Sequence, residues 1–161
     1  MREHITSIER EFRRYKALAE RAFAQVDEDA INGGPVSDNS IAIIVWHVAG
    51  NLKSRFTDFL TADGEKPWRH RDEEFFSRRV SKAELLAKGE EGWSVLLKAL
   101  EGLSDSDLAR TVTIRQEAMT AEQALLRSVA HTAYHVGQIV YVAKAARGDA
   151  WTTLTIPLAR R

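Results

Sequence analysis

The stretch TAEQALLRSVAHTAYHVGQIVYVAKAARG, residues 120–148, decides the fold. It opens on Thr120, followed three residues later by Gln123, a pair that can satisfy each other's orphan amides at a helix start. It runs without proline to Gly148, a residue suited to the backbone geometry of a helix stop. A helix is therefore expected from Ala121 to about Arg147. Upstream, Ser81-Lys82-Ala83-Glu84 is a second box of the same kind. The helix behind it carries Leu85, Leu86, Trp93, Leu96, Leu97 and Leu100, and Gly89 and Gly92 weaken it while admitting a close neighbour.

Two more helices precede these. Ile41, Ile44, Val45, Val48, Leu52, Phe56, Phe59 and Leu60 form the stripe of a helix that starts near Ser40 and stops before Gly64 and Pro67. Ser37, Asp38 and Ser40 are its candidate caps. The first helix shows Ile5, Ile8, Phe12, Tyr15, Ala19, Ala22 and Val26, spaced alternately by three and four. It should end near Asp29, before the breaker Asn32-Gly33-Gly34-Pro35. Four such helices imply an all-α four-helix bundle forming a single domain, residues 1–161. Two connectors, Asp63–Val80 and Leu103–Met119, exceed the roughly 2–8 residues usual between antiparallel bundle helices. At least one should cross the bundle. The first is rich in charge, with Arg69, Arg71, Asp72 and Glu74 placed for internal ion pairs and Trp68, Phe75 and Phe76 as expected anchors. The second holds a turn at Ser104–Asp107 and an extended run, Thr111–Ile114. The tail, Asp149–Arg161, should pack back through Trp151 and Ile156.

Composition excludes several classes. Lys plus Arg number 23 and Asp plus Glu 23, so formal charge cancels. That counts against nucleic acid as a partner and leaves self-association unopposed. With no cysteine, disulfides, thiolate metal sites and a Cys nucleophile are ruled out. No apolar run is long enough to span a bilayer, and no apolar stretch follows Met1-Arg2-Glu3-His4. A cytoplasmic protein with no membrane partner is expected.

Five histidines remain: His4, His47, His70, His131 and His135. His131 and His135 are four apart, so both rings leave one helix face and can meet one ion. His47 sits in the apolar stripe of the second helix. Three neutral imidazoles can hold a divalent ion and leave a position open. The plainer alternative is polar residues on an amphipathic helix and a core histidine bonded to a carbonyl. His47 lies about 15 residues before the end of its helix, and the pair lies about 11 to 15 after the start of theirs. These depths match if the two helices run antiparallel, which fits up-down-down-up order with Asp63–Val80 as the crossover. Asn51 and Arg55 follow His47 at four and eight positions, on its face. They suit a partner for a ligand and an anchor for a carboxylate, or else simple surface polarity and a salt bridge to the connector. Gln138, three beyond His135, can line the same cavity; Tyr134 and Tyr141 belong to core or interface.

His47, together with His131-Thr132-Ala133-Tyr134-His135-Val136-Gly137-Gln138-Ile139, resembles the DinB/YfiT-like superfamily of metalloenzymes. Trp46-His47-Val48-Ala49-Gly50-Asn51 and the run from Asp63-Gly64-Glu65-Lys66-Pro67-Trp68 to Glu74-Phe75 resemble its DUF1572 subgroup. The resemblance implies an up-down-down-up bundle, metal ligands at His47, His131 and His135, and a homodimer. For such a site Zn, Ni, Fe or Mn is the expected cofactor. Characterised members of the superfamily use low-molecular-weight thiols in transfer and isomerisation. Two functions are thus expected to compete. One is a metal-dependent enzyme acting on a small molecule, with thiol transfer to an electrophile as its chemistry. The other is a non-catalytic, stress-related metal-binding protein.

Overall fold

A computed structural model describes residues 1–33 and 39–156. The breaker residues Gly34 and Pro35, the candidate caps Ser37 and Asp38, and residues 157–161 of the tail lie outside the described residues. The protein is mostly helical, and the described residues form five α-helices: α1 (Glu3–Ala24), α2 (Glu28–Asn32), α3 (Ile41–Phe56), α4 (Lys82–Glu101) and α5 (Ala121–Arg147). Between α4 and α5 lies a small antiparallel hairpin, β1 (Thr111–Ile114) and β2 (Glu117–Thr120).

Helix starts follow the sequence signals. Ser40 accepts a hydrogen bond from the Ile43 amide, and Ser81 and Thr120 each form a complete capping box with Glu84 and Gln123. Gly148 closes α5 with φ 57°, in the region that favours glycine. The first helix stops at Ala24 rather than near Asp29, because Asp27 accepts from the Ala30 amide and starts α2 afresh. Gln25, in the gap, exchanges two side-chain hydrogen bonds with the backbone of Thr152 and ties α1 to the tail. Likewise α3 ends at Phe56, about two turns short of Gly64. Thr57 turns extended while its hydroxyl donates to the Lys53 carbonyl, and Asp58 adopts φ 52°. Phe59 is still buried, as part of the loop beyond the helix.

The run Thr111–Ile114 is extended as expected, but its partner strand carries no sequence signal. The turn between them, Arg115-Gln116, has φ of 54° and 64°, a conformation usually supplied by Asn-Gly. A remote residue supports it. The Asp63 carboxylate accepts the amides of Glu65, Gln116 and Arg115, and these bonds hold its pKa far below the usual range.

Ile5, Phe12, Leu52, Leu85, Leu96, Leu100, Leu125 and Val136 are wholly or almost wholly shielded and form the centre of the core. Gly92 of α4 lies against the backbone of Ala49 of α3, and Gly89 faces Val45 at ordinary distance. Arg2 bonds the Leu100 and Leu103 carbonyls at the far end of α4, whereas Lys82 at its start reaches the Val26 carbonyl. Ile44 shares a surface hollow with Tyr141 and Val142, and Phe56 shares a cavity with Ala124. Three expectations change. Leu86 is exposed; Trp68 and Phe76 lie largely at the surface; Ile156 is exposed while Trp151 and Leu154 pack on the core. Polar residues anchor the first connector instead: Lys66, Arg69 and Glu74 are all buried.

Candidate metal centre

α3 and α5 bring His47, His131 and His135 together, with one ring nitrogen from each lying within 4.8 Å of the others. His47 is buried; the two on α5 are partly buried. His47 Nε2 and His131 Nε2 are 3.2 Å apart. The rings meet edge to face, with centroids 4.6–5.2 Å apart. Tyr134, expected in core or interface, is half-exposed and lies beside both partners on α5, 4.3 Å from the His135 ring and 5.1 Å from the His131 ring. Tyr141 is exposed.

The connector supplies the orienting group. The Glu74 carboxylate accepts from His47 Nδ1 at 2.9 Å and takes both arms of the Arg69 guanidinium at 2.8 Å. Arg69 also donates to Ser54 Oγ at 3.2 Å. Burial by itself would raise the Glu74 carboxyl; bonds from Arg69 and His47 outweigh it and hold the group below the ordinary value. A carboxylate on Nδ1 fixes the tautomer and leaves Nε2 as a bare lone pair. Gly50 makes room for this contact, since a Cβ there would fall 2.0 Å from Glu74 Oε1. Phe75 lies on the His47 ring, centroids 4.8 Å apart.

On α5, His135 Nδ1 donates to Gln138 Oε1 at 2.8 Å, which frees its Nε2 in the same way. Burial, followed by the neighbouring His135 and His47 rings and the Arg69 and Arg55 charges, lowers the His131 pKa to about 3. Burial lowers His135 to about 4 against the opposing bond from Gln138. Both are neutral at neutral pH, the form in which imidazole binds metal, so protons compete weakly for these nitrogens.

These residues fit a metal ion. With Nδ1 of His47 committed to Glu74, two ring nitrogens that carry at most one proton between them face each other at 3.2 Å. Two nitrogens each about 2.0–2.1 Å from one tetrahedral ion lie about 3.3–3.4 Å apart. The donor set of three neutral imidazoles suits a borderline divalent cation. His131 Nδ1 is buried without a partner among the described residues, which give this ring no outer support of the kind the other two have.

A cavity of about 220 Å³ adjoins His47 and His131. Asn51 and Arg55 line it, as their place on the His47 face implies. Asn51 is not the partner of a ligand, because Glu74 holds that role. Gln138 faces a different hollow and acts through His135. His4 and His70 are exposed and stand outside the cluster. Sequence reasoning found the three histidines, Arg55 and the ion-pairing capacity of Arg69 and Glu74. It missed the bond from Glu74 to His47, for which the only available signal was one acid within a mixed-charge run.

The family model described as a protein of unknown function, DUF1572, matches residues 1–160, and the chain belongs to that family. No curated protein matches the chain.

Proposed function

We propose that this member of the DUF1572 family is a metal-dependent enzyme of the cytoplasm, in which His47, His131 and His135 hold one divalent ion beside a cavity for a small molecule. Zn, Ni, Fe and Mn all suit the donor set. One observation carries the reading: three imidazoles converge, two with their outer nitrogens already held by Glu74 and Gln138. When bound, such an ion supplies positive charge that stabilises an anionic oxygen or sulfur at neutral pH. Glu74 and Arg69 keep the His47 ring in place, Phe75 covers its flank, and Arg55 and Asn51 face the substrate space. The chain has no cysteine, so a sulfur nucleophile must come from a second small molecule. Transfer of a low-molecular-weight thiol to a small electrophile is the reaction class we assign, in keeping with the DinB/YfiT-like resemblance.

The same proposal includes a four-helix bundle of up-down-down-up order. The contacts of Lys82 with Val26 and of Arg2 with Leu100 support opposite directions for α1 and α4. The succession Val45–Gly89 and Ala49–Gly92 supports parallel α3 and α4. The neighbours of Ile44 and Phe56 support opposed α3 and α5. It also includes a homodimer, supported by cancelled formal charge and by exposed Leu126, Tyr134 and Tyr141 on α5. Among the described residues no helix is long and apolar enough to cross a membrane.

Cobalt-substituted protein tests the chemistry. Addition of glutathione, bacillithiol, mycothiol or coenzyme A should give a near-ultraviolet sulfur-to-metal charge-transfer band with at least one of them. If all four leave the spectrum unchanged, thiol transfer fails and a non-catalytic metal-binding protein becomes the better reading.

A further inference from the structure

The cavity beside the histidines is bounded by arginines out of proportion to its size. Arg55, Arg69, Arg71, Arg115 and Arg127 all line it, and among the described residues no carboxylate does. The surrounding acids neutralise only part of this charge. Glu74 is taken up by Arg69 and His47. One carboxylate, Glu65, serves two cations, with Arg115 Nε at 2.7 Å and Arg55 at 3.5 Å. Arg127 has only a loose, exposed contact with Glu117 at 3.7 Å, and Arg71 one with exposed Asp72 at 3.4 Å.

Arg69 is the most buried of the set but is spent on Glu74 and Ser54, which leaves Arg55 as the least exposed arginine with free donors. Its side chain is 13% exposed, one nitrogen bonds the Gly64 carbonyl, and among the described residues its Nε and Nη2 have no partner. Burial, together with the nearby charges of Arg69 and Arg115, pulls its pKa below the usual value despite Glu65. A cation crowded by cations in a partly closed space is stabilised by an anion placed among them.

A second observation is independent of charge. Ser128 lies three residues before His131 on α5 and lines the same cavity. It is 7% exposed, and its hydroxyl has no hydrogen-bond partner among the described residues. A buried hydroxyl left unpaired costs stability unless something in the cavity completes it. Phe56, Phe59, Val112 and Ile114 also line the cavity and offer apolar surface for a carbon skeleton.

We propose that this cavity binds a small organic oxyanion, with its carboxylate or phosphate on Arg55 and Ser128 and its carbon skeleton directed toward the three histidines. The inference rests on the enzyme reading and narrows it to an anionic substrate or cosubstrate. Along the helices Arg55 lies about 12 Å beyond His47 and Ser128 about 4.5 Å before His131, so the anionic group is held by residues other than the three histidines. The planar guanidinium fork matches an oxyanion in two bonds, which a lysine cannot do.

Titration calorimetry with glutarate, its neutral diamide and glycerol phosphate tests this on protein both metal-loaded and metal-free. The two anions separate a carboxylate from a phosphate handle. At least one should bind saturably in both forms, and the diamide should bind at least about tenfold more weakly. Arg55→Lys, which keeps the charge and removes the fork, should weaken the better anion by about tenfold. Ser128→Ala should weaken it several-fold without lowering the melting temperature, an outcome that a purely structural serine does not give. Arg127→Gln, at an exposed position, should cause a smaller loss. The proposal is overturned if neither anion binds, if the diamide matches the anions, if Arg55→Lys changes nothing, or if binding disappears with the metal, since the anion would then be a ligand of the ion. Metal content, measured on the same samples, tests separately the metal centre on which the enzyme reading depends.

Discussion

Glu74 joins the connector to the centre. Among the described residues it is the one acid hydrogen-bonded to a candidate ligand, and its two oxygens are shared between Arg69 and His47. Glu74→Gln keeps the shape but removes the charge that orients the His47 ring. Metal affinity, measured by competition with a chromogenic chelator, should fall about 10–100-fold, as for other partners of metal-bound histidines. Unchanged affinity would mean that Glu74 serves the fold alone. The histidines were legible in the sequence because an i, i+4 pair and a histidine in an apolar stripe are local patterns. Glu74 was not, since it acts across 27 residues from a loop without periodicity. Gly50 becomes intelligible only once Glu74 is in place. The place of Tyr134 beside His131 and His135 was not legible, because a helical wheel sets adjacent residues about 100° apart, whereas a long side chain leans back over the preceding turn.

Among the elements, the glycines of the two central helices separate packing from propensity. Gly92→Ala gains up to about 1 kcal/mol of helix propensity. Its Cβ would lie 2.7 Å from Ala49 Cα and 2.8 Å from Ala49 O, both backbone atoms that cannot swing aside. Overpacking of this kind costs about 1–3 kcal/mol, so the variant should be less stable. Gly137→Ala meets nothing within 4 Å and should gain about 0.5–1 kcal/mol. Chemical denaturation of both variants checks the pair; a stabilised Gly92→Ala would contradict the close approach of α3 and α4. Helix starts were readable from Ser40, Ser81 and Thr120 because caps are local. The ends of α1 and α3 were not, since Asp27 and Thr57 make local bonds that outcompete an unbroken apolar stripe. The second strand was hidden for a similar reason: its turn is held by Asp63, about 50 residues away in the chain.

For the whole molecule, the proposed dimer rests on cancelled charge and the exposed side chains of α5. Light scattering at micromolar concentration should return about twice the 18.1 kDa chain mass, and a monomer would contradict it. The mostly helical character followed from periodicity and capping boxes. Placement of the cavity did not, because its walls come from α3, α5, the hairpin and the connector together. The account depends most on the ion. Its most direct test is elemental analysis of protein purified without a histidine tag, loaded with divalent metal and dialysed, beside His131→Ala/His135→Ala treated identically. One ion per chain in the native protein and none in the double variant is the predicted result. Native protein without stoichiometric metal, or a double variant that retains it, would contradict the assignment of His47, His131 and His135 as a metal centre.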